Sequence, residues 1–342
     1  MTPDWKEFLQ GQGARIEADV VTDFGDLAGE LRAARDQRVL ADLSHWGLIG
    51  FSGVEAKTFL HGQFTNDLNH QLAADQAVFA AMCSPKGRML ANFLVLAWQD
   101  DILLLLPGEL REAVQKRLSM FILRAKVKAR DASAEWVRMG LAGPGTAQAV
   151  ADWLGAPVAD RPLAVGQAAD RFAVRLGEGR FDLFTRPERA REDWLRFAAG
   201  ARAVGAPAWD WLLVRAGVPT ILARTQDEFV PQMANMDVLN GVSFNKGCYP
   251  GQEIVARTQY LGKLKKRLYL AHVDAPAEPG QPVFCPAFGE QAAGLVANAA
   301  PAPEGGTDLL VVLQIAGHDA GEVHLGAVDG PALAFMPLPY PL

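Results

Sequence analysis

The chain has 342 residues, 50% of them hydrophobic and 21% charged, with a formal net charge of −6 at pH 7. That size suits two or three domains with sizeable cores, and mild acidity disfavours a general nucleic-acid binder, where a basic balance is expected. Three cysteines at wide spacing (Cys83, Cys248 and Cys285) and six scattered histidines argue against a disulfide framework and leave no metal site to expect.

From the N-terminus onward there is no basic-then-apolar signal pattern, and the longest apolar runs are strand-sized. A cytoplasmic location with no membrane partner is therefore expected. Gly47–Gly50 reads as a strand that turns through Ser52-Gly53-Val54-Glu55, a capping-box pattern, into a helix with Phe59 and Leu60 on its apolar face. Phe93–Trp98 and Ile102–Leu106, split by the polar turn Gln99-Asp100-Asp101, read as a hairpin. It leads through Pro107 into a helix striped by Leu110, Val114, Leu118, Phe121 and Ile122.

The plan then recurs. Gly47, Leu48, Gly50, Ala56 and Gly62 are repeated 93 positions later as Gly140, Leu141, Gly143, Ala149 and Gly155. A second hairpin (Phe172–Leu176 and Phe181–Thr185) runs into a helix that starts at Pro187, carries Trp194, Leu195 and Phe197, and ends at Gly200. From Leu268 helical periodicity gives way to short β-rich runs (Leu268–Val273, Leu309–Ile315, Val323–Val328, Ala332–Phe335), with Asn298–Gly306 a Pro/Ala/Gly loop. These read as a small all-β barrel. The expected fold is α+β: a duplicated β-α-β-β-α body over residues 1–261, then a C-terminal barrel over 262–342. Within the body, lobe one covers about 30–130, lobe two about 131–205, and a returning segment 206–261.

Candidate chemistry concentrates in Lys246-Gly247-Cys248-Tyr249-Pro250-Gly251-Gln252-Glu253. Between Lys246 and Arg267 there are six basic residues against the single acid Glu253. Positive surroundings favour a thiolate, and flanking glycines let a ligand approach the sulfur. Cys248 is thus the candidate catalytic residue. Glu253 either tunes it or pairs with Arg257, four residues on, if that stretch is helical. Gln232, Asn235 and Asp237, leading toward the loop, are candidates for oriented polar groups in a ligand pocket, with turn and cap chemistry as the alternative. Trp46 and Trp209 offer flat faces for a planar heterocycle, although a tryptophan at such a position is more often core. Arg215, Lys246, Gln252, Glu253 and Arg257 complete the candidate binding set. Gly11-Gln12-Gly13 is not a dinucleotide fingerprint, because no strand precedes it.

The cysteine segment with Ile254-Val255-Ala256-Arg257 resembles the K-G-C-Y-x-G-Q-E-x-V-A-R motif of the YgfZ family of folate-binding proteins, relatives of the glycine-cleavage T-protein. The resemblance extends over Phe59–Asp67, Ser84–Met89, Phe229–Phe244 and Pro337–Tyr340, and so over nearly the whole chain. It implies a T-protein-like ring around a cavity that binds tetrahydrofolate or a related reduced folate, contacted by Trp46 and Trp209, with Cys248 as the motif cysteine. It also implies a role in iron–sulfur cluster assembly or repair, with radical tRNA-methylthiolating enzymes as client proteins and no metal of its own. Direct tRNA binding is disfavoured. Where T-protein aminomethyltransferases carry paired carboxylates, this chain has Ala91 and Asn92, and an amide is no general base near neutral pH. An accessory factor is therefore expected before an enzyme, with a folate-dependent one-carbon transferase as the alternative.

Overall fold

The structure, a computed structural model, describes residues 1–342. The chain forms two compact units. One comprises Met1–Phe59, Leu68–Val78 and Leu94–Trp209; the other comprises Leu60–Asp67, Phe79–Phe93 and Asp210–Leu342.

The first unit contains the duplication. Strand Trp46–Ser52 pairs antiparallel with Asp101–Pro107, which forms a hairpin with Leu94–Trp98. Strand Val137–Ala142 pairs antiparallel with Arg180–Thr185, which forms a hairpin with Arg171–Gly177. Each first strand turns into a helix, Ala56–His61 or Thr146–Leu154. Each hairpin runs into another, Gly108–Ile122 or Pro187–Ala198. The order β-α-β-β-α is present twice. Leu110, Val114 and Leu118 are buried as the stripe predicts, whereas Phe121 and Leu195 are exposed.

The register of the repeat differs from the sequence alignment. The paired helices begin at Ala56 and Thr146, and the turn glycines before them are Gly53 and Gly143, so equivalent positions are 90 residues apart rather than 93. Gly53 has φ +116° and Gly143 φ +109°, and a Cβ at either would lie 2.1–2.2 Å from a backbone oxygen, of Lys126 or of Gln37. Only glycine fits both the dihedral and the space. The 93-residue alignment matched Gly-Leu pairs and helix-ending glycines, and slid the second copy by three residues. The capping box does not form either, because the Glu55 carboxylate accepts from the Lys126 backbone N–H at 2.7 Å.

The two copies also exchange strands. Val39–Asp42, which precedes the first copy in sequence, pairs with Val137–Ala142 of the second. Lys128–Asp131, which precedes the second, pairs with Trp46–Ser52 of the first. Asp42 and Asp131 end these strands identically, each accepting from the backbone N–H two residues on, at Ser44 and Ser133. The sheets then bury one face against each other: Leu48, Leu96, Trp98, Leu103 and Leu105 meet Phe172, Val174 and Phe184. The opposite face of the second sheet (Met139, Leu141, Phe181, Leu183) packs under Trp5, Leu9, Trp153, Trp194 and Phe197 from helices.

In the second unit, a six-stranded antiparallel sheet runs in the order His324–Leu325, Pro282–Phe284, Ala292–Pro301, Thr307–Gln314, Lys266–Val273, Ala334–Met336. It curls until its ends meet at a bridge between His324 and Ala332. Alternate residues fill its interior, among them Ala271, Val273, Val283, Val296, Leu309, Val311 and Leu313. Strand Ala292–Pro301 was not expected, because alanine, glycine and asparagine dominate it. A register shift between Val296 and Asn298 accommodates it, and it takes in the start of the expected Asn298–Gly306 loop.

Candidate functional site

Trp46 and Trp209 both belong to the first unit, and both border the inward face of its second sheet. Along Val137–Ala142, residues 137, 139 and 141 face the helices, so Arg138 and Gly140 face the other way. Gly140 pairs directly with Asp182 on the neighbouring strand. The Trp209 ring lies flat on Gly140, where an added Cβ would come within 2.6 Å of its Cη2 and Cζ3. The Arg138 guanidinium stands over the Trp46 ring, 4.6 Å from its centre, and donates to Asp182 Oδ2 at 2.6 Å. Arg138, Asp182 and Trp209 are 5%, 0% and 0% exposed, so this is charge set into a core.

The patch holds polar atoms without partners: Asp182 Oδ1, Trp209 Nε1 and His45 Nδ1. Burial pushes the Asp182 carboxyl up, opposed by Arg138 and Arg180. Burial lowers Arg180 to about 10, and it lowers His45 to about 4 with the help of the Arg138 charge. His45 is therefore neutral at pH 7. Orphaned polar atoms are rare in folded cores, and several together fit a site that a ligand completes. The equivalent positions of the first copy are Leu48, Gly50 and Leu103, so only one half carries the patch. Sequence reasoning missed Arg138 and Asp182. The available signal was a pair of ionisable residues inside strands that otherwise read as core.

The cysteine loop belongs to the second unit. Cys248 is exposed, whereas Cys83 and Cys285 are buried, and burial raises Cys83 to about 12. Gly251, with φ +81°, places the loop against the Ser84–Gly87 turn, where any Cβ would lie 2.3 Å from Ser84 O. Helix Gln252–Tyr260 follows. Lys246 is only 8% exposed. Its ammonium donates to the carbonyls of His61 and Phe64, the latter at 2.6 Å, and stands 4.9 Å from the Tyr249 ring centre. Burial lowers Lys246 to about 8, while the Asp67 and Cys248 charges oppose that shift. Glu253 and Arg257 are exposed on the helix and Gln252 is half-buried.

The turn before the loop is used structurally. Asn235 bonds both Leu268 N and Leu268 O, Asp237 forms a two-pronged pair with Arg267 at 2.7 and 3.0 Å, and Gln232 Nε2 donates to Val255 O. Gln232 Oε1 alone is buried without a partner. Arg215 contacts Met336 Sδ at 2.8 Å and lies 3.6 Å from Asp308. Asn92 is likewise committed: Nδ2 donates to Pro219 O at 2.7 Å and Oδ1 accepts from Ile221 N at 2.8 Å. No cluster of three or more His, Cys, Asp or Glu side chains is arranged to hold a metal ion, and no helix is long and apolar enough to cross a membrane.

The family model of the GCVT N-terminal domain matches residues 21–246. The tRNA-modifying protein YgfZ of Yersinia pestis (strain Pestoides F) is 32% identical over 231 residues, 67% of this chain and 69% of the relative. Its namesake from Sodalis glossinidius is 34% identical over 234 residues, 67% and 70% of the two chains. The crystal structure of glycine cleavage system aminomethyltransferase T from Bartonella henselae superposes with a TM-score of 0.80 over 99% of this chain and 97% of that one. At 19% identity, that likeness establishes the fold alone. Taken with the cysteine motif and the duplicated body, the matches establish that this chain is a member of the YgfZ family.

Proposed function

We propose that the protein is a folate-binding accessory factor for iron–sulfur cluster assembly or repair, supporting radical enzymes that methylthiolate tRNA, with Cys248 as its reactive group. The observation that carries folate binding is the patch around Asp182. A pterin is planar, and its aminopyrimidinone edge presents N–H donors. Trp46, half-buried, offers a flat ring beside the patch, Asp182 Oδ1 is an acceptor without a partner, and Trp209 Nε1 is a donor without one. When bound, a reduced folate supplies a pterin able to carry a one-carbon unit. Arg138 holds Asp182 in place and opposes the upward push of burial on its carboxyl. Neutral His45 adds a polar contact without adding charge.

The client side of the reading is supported by the family and by the relatives' name, tRNA-modifying protein. Exposure of Cys248, two residues from the buried Lys246, supports a reagent-accessible thiol. Both polar atoms of Asn92 are engaged, which favours this reading over an aminomethyltransferase. Titration with tetrahydrofolate followed by tryptophan fluorescence tests it. Wild type should show saturable quenching. Asp182→Asn should weaken binding roughly 10- to 100-fold, the value of a charge-assisted hydrogen bond. Equal affinity in the two proteins would remove Asp182 from the reading, and no quenching in either would remove folate.

A further inference from the structure

We propose that the surface made by the end of helix Gly108–Ile122, the bend after it and the edge strand Lys128–Asp131 docks the phosphate backbone of RNA. This deepens the tRNA-related reading above, rests on it only for the choice of tRNA as probe, and departs from the expectation, drawn from overall charge, that direct tRNA binding is disfavoured, because the charge here is local. Everything that forms the surface belongs to the first unit.

From Ala113 to Arg130 the chain has no acidic residue, in a protein whose net charge is −6. Lys116, Arg117, Arg124, Lys126 and Lys128 lie along this path, and none of the five makes an ion pair. Their neighbours do: Arg111 pairs with Asp131, and Arg130 pairs with Asp101 and Glu135. Solvated helix faces normally alternate sign, and here only Glu112 lies within a turn of Lys116. A lysine on an edge strand also blocks unwanted strand pairing, which accounts for Lys128 and not for the other four.

Apolar side chains stand among these cations. Leu123 and Val54 are each 88% exposed, and Met120 and Phe121 accompany them. Val54 belongs to the same surface, because its turn rests on Lys126: Gly53 abuts Lys126 O and Glu55 accepts from Lys126 N. A row of unpaired cations with an exposed aromatic ring and aliphatic side chains among them matches a backbone track with a stacking face and apolar contacts for unstacked bases. Two other polyanions fit less well. A lipid surface calls for one continuous apolar stripe on an amphipathic helix, whereas here apolar and basic residues alternate around a bend. A protein interface depletes lysine, and three of these five cations are lysines.

The test measures binding of unfractionated tRNA to the full chain by fluorescence anisotropy between 50 and 200 mM salt. Four or five phosphate contacts predict a log–log slope of about −3 to −4, or roughly a 100-fold loss of affinity across that range. Lys126→Glu with Lys128→Glu should cut affinity at least about tenfold at 50 mM salt and flatten the slope by about 2. Phe121→Ala should weaken binding a few-fold at unchanged slope. No tRNA binding at 50 mM salt, or wild-type affinity in the double variant, overturns the proposal. So does complete displacement of tRNA by polyglutamate at equal charge, or equal binding to anionic phospholipid vesicles, since either outcome reassigns the surface. Tetrahydrofolate titration of the double variant should match wild type, so failure here is separable from failure of the folate reading.

Discussion

The contact between Trp209 and Gly140 gives a quantitative prediction for Gly140→Ala. The new Cβ would stand 2.6 Å from two ring carbons and 2.7 Å from a third. Ordinary contact between such atoms begins near 3.4 Å, so the ring or the strand must retreat by nearly 1 Å. Trp209 is 0% exposed, so a retreat of its ring displaces packed neighbours. Overpacking of this kind costs about 1–3 kcal/mol. Gly140 is not among the glycines of positive φ, so alanine recovers about 0.5–1 kcal/mol of backbone entropy. The net loss is about 1–2 kcal/mol, a fall of roughly 1–3 °C in melting temperature for a chain of this size. Differential scanning calorimetry measures the stability and tetrahydrofolate titration the consequence, which should be weaker quenching because the plate has moved. An unchanged or raised melting temperature with unaltered tryptophan emission would falsify the packing argument.

Three further outcomes follow from the same geometry. His45, at about 4 in the folded protein against 6.5 as a free group, is bound by more protons in the unfolded chain between those values. Its stability contribution is therefore present above pH 6.5 and lost as pH falls toward 4, by about 3 kcal/mol in total. His45→Phe should flatten melting temperature against pH over that window, and parallel curves for the two proteins would contradict this. Asn92→Asp should destabilise by about 1–3 kcal/mol, because a carboxylate would face the Pro219 carbonyl without a proton to donate. It should also fail to confer aminomethyl transfer, and a stable, active variant would reverse the reading. Iodoacetamide should modify Cys248 alone in the native protein and all three cysteines after denaturation; labelling of Cys83 at a comparable native rate would show that its burial is transient.

Much of the architecture could be read from the residues because it is carried by local signals. Both hairpins announce themselves as apolar runs around polar turns, and Pro187 starts its helix where its missing N–H costs nothing. What sequence order cannot reveal is which strand pairs with which, so the exchange of Val39–Asp42 and Lys128–Asp131 was invisible. The repeat register failed because identities were counted without asking which glycine the backbone requires. At the site, Cys248 stood out through its setting, whereas Arg138 and Asp182 were hidden among apolar neighbours. Within the basic run after Cys248, sequence order also hid that Arg267 is neutralised by Asp237, thirty residues earlier in the chain.

The traded strands have a consequence for how the molecule is made. Residues 39–42 leave the ribosome almost a hundred positions before the partner at 137–142 exists. Neither half can close on its own while the chain is being synthesised, and a cut between the copies would leave two fragments, each lacking an edge it needs. Maturation must wait for distant pairings, which form slowly. The nascent chain therefore passes through a long interval of unsatisfied sheet margins, in which misassembly or chaperone capture competes with completion.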